Sequence, residues 1–230
     1  MKSRYDPLGD VDGAARERMH RLLARHFTQV DPLRFAADLA DKTHVLRLFD
    51  DQGDLCGFST FALCRLAGKQ VVVSGDTVSD PQSWSAARLA PAWIHAVREL
   101  SGGDLSSVWW LLICSGERTY RFLPTFFRCF VPQREGSDPV LLALRDRLAA
   151  ERFPATFDPL SGIVRLVHPH GLQGHLRQLP AHLGESPDGR FFRRCNPGFA
   201  AGDELACLCP LAEDNLTPVG RRVLHGDLVR

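Results

Sequence analysis

The sequence changes from strand-forming to helix-forming residues within residues 71–87, VVVSGDTVSDPQSWSAA. Its first part is rich in β-branched residues, which favour extended backbone. From Ala87 onward apolar residues recur at helical spacing, and the pair Gly102-Gly103 closes that pattern. We therefore expect a strand over 70–78, a loop over 79–86 and a helix over 87–100.

On either side of this stretch the same patterns predict further elements. Asp12 can cap a helix, and Asp31-Pro32 can begin a second one. Before residue 70 the predicted elements are helices over 12–26 and from 32, and strands over 44–49 and 55–66. After residue 100 they are strands over 107–114, 163–167 and 205–211, helices over 116–130 and 138–152, and a short helix from Thr217.

This order of elements predicts an α/β fold of the α+β type. Hairpins come first and one crossover follows, which gives a mixed, mostly antiparallel central sheet flanked by helices. The pattern weakens after Pro132, and the sequence offers a boundary only between 132 and 138. We expect a core over 1–132 and a C-terminal α/β extension over 133–230 that packs on the core.

Composition and charge exclude several functional classes. The chain has 28 Lys and Arg against 27 Asp and Glu, a net charge of +1, so no basic surface for nucleic acid is expected. No apolar run approaches the roughly 20 residues of a membrane span. The seven cysteines are spread along the chain and no secretory signal precedes them. These features predict reduced cysteines and a cytoplasmic protein.

The loop before the helix carries a possible phosphate site. Residues 82–87 read Gln82-Ser83-Trp84-Ser85-Ala86-Ala87 and lead directly into the helix. Backbone N–H groups ahead of a helix can hold phosphate. With its strand and helix, this segment resembles the acyl-CoA N-acyltransferase (GNAT) superfamily, whose loop reads Q/R-x-x-G-x-G/A. Gln82 and Ala87 match that pattern, whereas Ser85 stands where glycine is usual, so the chain resembles a divergent member. Alternatively, the loop is a connector without a ligand.

The resemblance covers about residues 12–132 and implies where a thioester lies. In that fold the fourth and fifth strands separate and the pantetheine arm of coenzyme A lies between them. It implies cofactor contacts at Val78 and Cys114, near the ends of the strands at 70–78 and 107–114. Asp76 is the candidate general base for an attacking amine, or a holder of its ammonium group. The alternative is that Asp76 pairs with an arginine or caps a turn.

The segment from Gly116 supplies the remaining candidates. In many members of the superfamily a tyrosine on this helix donates a proton to the departing thiolate. Tyr120 is the candidate for this role, although it lies nearer the helix start than usual. Arg118 is a candidate contact for the phosphates of the cofactor, with a solvated helix face as the alternative.

These expectations combine into an N-acyltransferase. It would move an acyl group from acyl-CoA, or from an acyl carrier protein, to a small amine or amino-acid-like acceptor. One alternative is a non-catalytic GNAT-like module that binds a metabolite or a protein, and a second is a hydrolase with Cys114 as nucleophile. No metal is predicted, because the group His168, His170, His175 and His182 and the pair Cys207 and Cys209 lack the spacing of a zinc site.

Overall fold

The computed structural model describes residues 2–80, 85–167, 173 and 186–225. The chain forms two compact units, one of Met1–Leu63 with Val72–Gly103 and the other of Cys64–Val71 with Asp104–Arg230. The predicted division into a core over 1–132 and an extension over 133–230 that packs on it stays a prediction.

The first unit contains strands that follow one another in the sheet in chain order. They are β1 (Lys2–Pro7), β2 (His44–Phe49), β3 (Leu55–Leu66) and β4 (Lys69–Ser79), with the tip of the β3–β4 hairpin belonging to the second unit. Strand β2 pairs antiparallel with both β1 and β3. The helices of this unit are α1 (Gly13–His26), α2 (Pro32–Ala40) and α3 (Ser85–Leu100).

Two aspartates begin the first helices as the sequence predicts. The Asp12 side chain accepts a hydrogen bond from the Ala15 N–H at 2.7 Å. Asp31 accepts from the N–H groups of Leu33 and Arg34, both at 3.0 Å. Each cap satisfies N–H groups that lack a partner within the helix. Apolar faces of α1 and α2 share one buried core with residues of the strands, namely Met19, Leu22, Leu23, Phe35, Leu39, Val45, Phe58 and Val78.

The second unit contains four antiparallel strands in the order β5-β8-β7-β6. They are β5 (Val108–Cys114), β6 (Phe157–Asp158), β7 (Ile163–Val164) and β8 (Glu204–Pro210). Its helices are α4 (Glu117–Tyr120), α5 (Phe122–Phe126), α6 (Pro139–Arg152), α7 (Pro187–Cys195) and α8 (Pro218–Leu224). The predicted α+β class, with mostly antiparallel strands and flanking helices, is confirmed in both units.

Four parts of the predicted element order are wrong. The helix over 116–130 is two short helices that end at Phe126, because Phe127 and Val131 form antiparallel bridges with Leu216 and Leu208. Strands β1 and β6 and helix α7 were not predicted. Among the described residues no helix is both long enough and apolar enough to cross a bilayer.

A buried ion pair explains why the polar segment Lys2–Pro7 forms a strand. Arg4 and Arg47 lie directly opposite each other on β1 and β2, an unfavourable pairing of like charges. The Asp6 carboxylate contacts both guanidinium groups, at 2.7 Å from Arg4 and 2.6 Å from Arg47. Burial alone raises the pKa of Asp6, but hydrogen bonds from the two arginines lower it overall. Asp6 thereby anchors β1.

Replacing Asp6 by alanine is expected to lower the free energy of unfolding by about 3 kcal/mol at pH 7, because buried Arg47 loses its counter-ion. The pKa of Asp6 is lower in the folded protein than in the unfolded chain. Its contribution to the free energy of unfolding is therefore complete above the unfolded pKa of about 4 and is lost as the pH falls through the folded pKa. Urea unfolding of both proteins across this range measures the difference.

The matched control is Glu17→Ala, which breaks an ion pair with Arg21 in which both side chains are exposed. That change is expected to cost less than about 0.5 kcal/mol. Equal losses in the two variants, or a loss at Asp6 that does not shrink in acid, would contradict the role given to Asp6.

Candidate functional site

A strand, a short connection and a helix follow one another where the phosphate loop was predicted. Strand β4 ends at Ser79 and α3 begins at Ser85, so Ser85, Ala86 and Ala87 form the first turn of the helix. Gln82, Ser83 and Trp84 lie outside the described residues. The phosphate role of the 82–87 loop stays a prediction.

Gly75 creates space on β4 for a lysine that comes from another element. A Cβ atom added at Gly75 would overlap both Lys42 Cε and Thr60 Oγ1. Lys42 follows the end of α2, and Thr60 is a buried residue of β3. Because glycine has no side chain, the aliphatic stem of Lys42 can lie directly against β4 at the residue before Asp76.

The Lys42 ammonium group is held in a mostly buried position. Its side chain is 12% exposed, and Nζ lies 3.6 Å from Asp41 Oδ2 and donates to the Asp38 carbonyl at 3.3 Å. Burial lowers the pKa of Lys42, whereas the charges of Asp76 and Asp38 oppose that shift. The amine of Lys42 and the carboxylate of Asp76 are therefore electrostatic partners.

Hydroxyl groups continue the polar character of this part of β4. The Ser59 and Thr77 hydroxyls are hydrogen-bonded at 2.8 Å, and Ser59 is buried on β3. Val78 is different, since its side chain is 4% exposed and belongs to the apolar core of the unit. A contact between Val78 and a cofactor would therefore have to use its backbone, and it stays a prediction.

Cys114 lies at the end of β5 in the second unit and has no exposed surface. Its sulfur is 3.8 Å from that of Cys207 on β8. Burial, followed by the contact with Cys207, raises the pKa of Cys114 well above the usual value of a thiol. A buried thiol with a raised pKa is a poor nucleophile, which argues against the Cys–His hydrolase. Its predicted cofactor contact would also be limited to backbone.

Tyr120 is a fully buried residue at the end of α4. Its hydroxyl donates to the Pro132 carbonyl at 2.9 Å, and its ring packs against three phenylalanines, Phe130, Phe191 and Phe192. Phe192 in turn contacts Phe199. Burial, followed by the charges of Cys207 and Asp188, raises the pKa of Tyr120. The hydroxyl therefore already gives its proton to a structural hydrogen bond.

An ion pair that the sequence did not reveal joins α4, at Glu117, to α7. Glu117 is 4% exposed and its Oε1 accepts from Arg193 Nη1 of α7, whereas Oε2 has no partner within the described part of the chain. Arg118, the predicted phosphate contact, is exposed on the same helix. No signal in the sequence linked Glu117 to Arg193, because they are 76 residues apart.

Among the described residues, no group of three histidine, cysteine or acidic side chains is arranged so that it could hold a metal ion. The histidines set aside as metal ligands on their spacing, His168, His170, His175 and His182, lie outside the described ranges.

Among the predicted site residues, Asp76 is the one that the first unit joins to a second reactive group, Lys42. Sequence reasoning missed Lys42, although it is one of only three lysines in the chain and Gly75 precedes Asp76. The proposed separation of the fourth and fifth strands involves one strand from each unit and stays a prediction.

Comparisons with known proteins give similarity at the level of structure. No protein-family model and no curated protein matches this sequence. The structure is similar to a GNAT-family N-acetyltransferase (YhbS) of Escherichia coli solved in complex with CoA. The TM-score is 0.41 and the identity 16%, over 55% of this chain and 69% of that one.

Two further solved structures show similarity at the same level. The ribosomal-protein-S18-alanine N-acetyltransferase of Escherichia coli has a TM-score of 0.42 and 11% identity, over 59% of this chain and 88% of its own. A probable N-acyltransferase of Enterococcus faecalis has a TM-score of 0.40 and 12% identity, over 56% of this chain and 33% of its own.

The Tyr120→Phe variant tests whether this hydroxyl is structural or a proton donor. If the hydroxyl is structural, its removal is expected to lower the free energy of unfolding by about 1 kcal/mol, because the Pro132 carbonyl loses its donor. The kcat of acyl transfer in this variant should then stay within about tenfold of that of the unchanged protein, whereas loss of a general acid lowers kcat by about 100-fold or more. Tyr5→Phe, at the other tyrosine, is the control. A 100-fold fall in kcat in Tyr120→Phe alone would restore the catalytic role.

Proposed function

We propose that this chain is an N-acyltransferase that moves an acyl group from a thioester to an amine, with Asp76 as the general base. The observation that carries this proposal is the contact between Lys42 and the strand at Gly75, beside Asp76. The first unit already holds a lysine against the residue before Asp76, on the strand that precedes the predicted phosphate loop. An acceptor amine would need the same environment.

The electrostatics of this position suit an amine nucleophile. An amine attacks a carbonyl only as the free base, so its ammonium form must lose a proton. Burial lowers the pKa of Lys42 at this position, which favours the neutral amine, and a carboxylate can accept the released proton. Both requirements are met by residues of the first unit alone.

The proposed mechanism is a direct transfer of the acyl group from the thioester to the amine. The acceptor amine gives its proton to Asp76, directly or through water, and its nitrogen attacks the thioester carbonyl carbon. Backbone N–H groups near Val78 would polarise the carbonyl oxygen as negative charge develops there. The C–S bond then breaks and the thiolate takes a proton from solvent.

The donor is a thioester with a phosphate-bearing arm. N–H groups at the start of α3, from Ser85 onward, would hold its phosphate, since the N-terminus of a helix favours anions. Arg118 is exposed, so its positive charge is available to an anionic group. Both acyl-CoA and an acyl carrier protein present such a phosphate, and an exposed arginine also suits an acidic carrier protein.

Thiol release measures this function directly. Acetyl-CoA, octanoyl-CoA and octanoyl carrier protein are each incubated with the protein and a panel of small amines and amino acids, and free thiol is detected. The expected result is amine-dependent release from at least one donor. Asp76→Asn should lower kcat by about 100-fold or more, the usual contribution of a general base.

Asp10→Asn is the matched control, because Asp10 is an exposed carboxylate of the same unit outside the site. It should retain full activity. If neither kind of thioester binds, the proposed function is wrong. Binding of a thioester without any release would instead support a non-catalytic binding module, and full activity of Asp76→Asn would remove Asp76 as the base.

A further inference from the structure

We propose that Lys42 is itself an acyl acceptor, so that the protein acylates its own Lys42 Nζ when it is exposed to a thioester. This inference deepens the proposed function and rests on it, because the thioester must reach the end of β4. The observations that support it are the position of the Lys42 stem against Gly75, its partial exposure and its neighbour Asp76.

The geometry brings the amine to the residue proposed as the base. The stem of Lys42 lies where a side chain at position 75 would otherwise be, and Asp76 is the next residue. The charge of the Asp76 carboxylate acts on the Lys42 amine, so Asp76 is the carboxylate that we propose as the proton acceptor. Nucleophile and base are thereby supplied by two residues of the same unit.

The local environment favours the reactive form of the amine. Desolvated lysines are the usual nucleophilic lysines of proteins, and burial lowers the pKa of Lys42. The side chain is nonetheless 12% exposed, so the nitrogen is not sealed from a reactant. Lys2 and Lys69 are exposed residues and lack this combination.

The chemical step balances without any further reactant. Lys42 Nζ attacks the thioester carbonyl carbon, a C–N bond forms and the C–S bond breaks with its electron pair on sulfur. The proton lost by nitrogen passes to Asp76 and then to the thiolate, giving a free thiol. The product is an amide, which is stable, so the modification is an end state that removes the positive charge beside Asp76.

Mass spectrometry locates the modification because the chain has only three lysines. The folded protein is incubated with acetyl-CoA and digested with trypsin, which does not cut after an acylated lysine. Acylation of Lys42 therefore replaces two peptides by the single peptide 35–47. The expected rate at Lys42 exceeds that at Lys2 and Lys69 by about tenfold or more, because a desolvated lysine is the more reactive nucleophile.

Two variants test the geometry without removing the amine. Gly75→Ala places a methyl group where the Lys42 stem lies, and Asp76→Asn removes the proton acceptor. Each should lower Lys42 acylation to about the rate of the exposed lysines. Gly13→Ala is the matched control, since a Cβ atom there meets nothing within 4 Å. Urea-unfolded protein should show equal rates at all three lysines.

Several outcomes separate this inference from the proposed function. Amine-dependent thiol release with no preference for Lys42 would overturn the inference and leave the function in place. A small thioester without phosphates, S-acetyl-N-acetylcysteamine, measures the intrinsic reactivity of Lys42. Preferential acylation of Lys42 by this probe, with no binding of CoA or carrier thioesters, would support the reactive lysine and overturn the proposed enzyme. Equal acylation of Lys2, Lys42 and Lys69 by both donors would also reject the inference.

Discussion

The account of this protein depends on one contact, the packing of the Lys42 stem against a strand residue that has no side chain. Without the space at Gly75, Lys42 could not lie beside Asp76. Burial then lowers the pKa of the amine while the carboxylate opposes that shift, so the two groups influence each other's charge. This pair gives the end of β4 a chemical character that its sequence neighbours alone do not have.

The rest of the first unit serves to hold that contact in place. The Asp31 cap fixes the start of helix α2, and Phe35 and Leu39 fix the helix in the core. Lys42 follows the end of this helix. Strand β4 is held by the buried side chain of Val78 from within the same core. Reactive groups are thus positioned by rigid elements, as a preorganised site requires.

Much of this fold could be predicted from local sequence patterns, and the failures have a common cause. Asp12 and the Asp31-Pro32 pair identified helix starts because capping acts within a few residues. The helix predicted over 116–130 was wrong because Phe127 is paired with Leu216, a long-range contact that overrides local propensity. For the site, Asp76 was recognised from its place in a strand, whereas Lys42 was missed because it reaches β4 only through tertiary packing.

The most direct test of the account is the pKa of Lys42, measured by NMR titration of the lysine side chains. With three lysines in the chain, Lys42→Arg assigns its signal without ambiguity. The expected midpoint lies below the ordinary lysine value of about 10.4, and Asp76→Asn should lower it further because the opposing charge is removed. A Lys42 midpoint at the ordinary value, or one that Asp76→Asn leaves unchanged, would contradict the pairing on which the proposed chemistry depends.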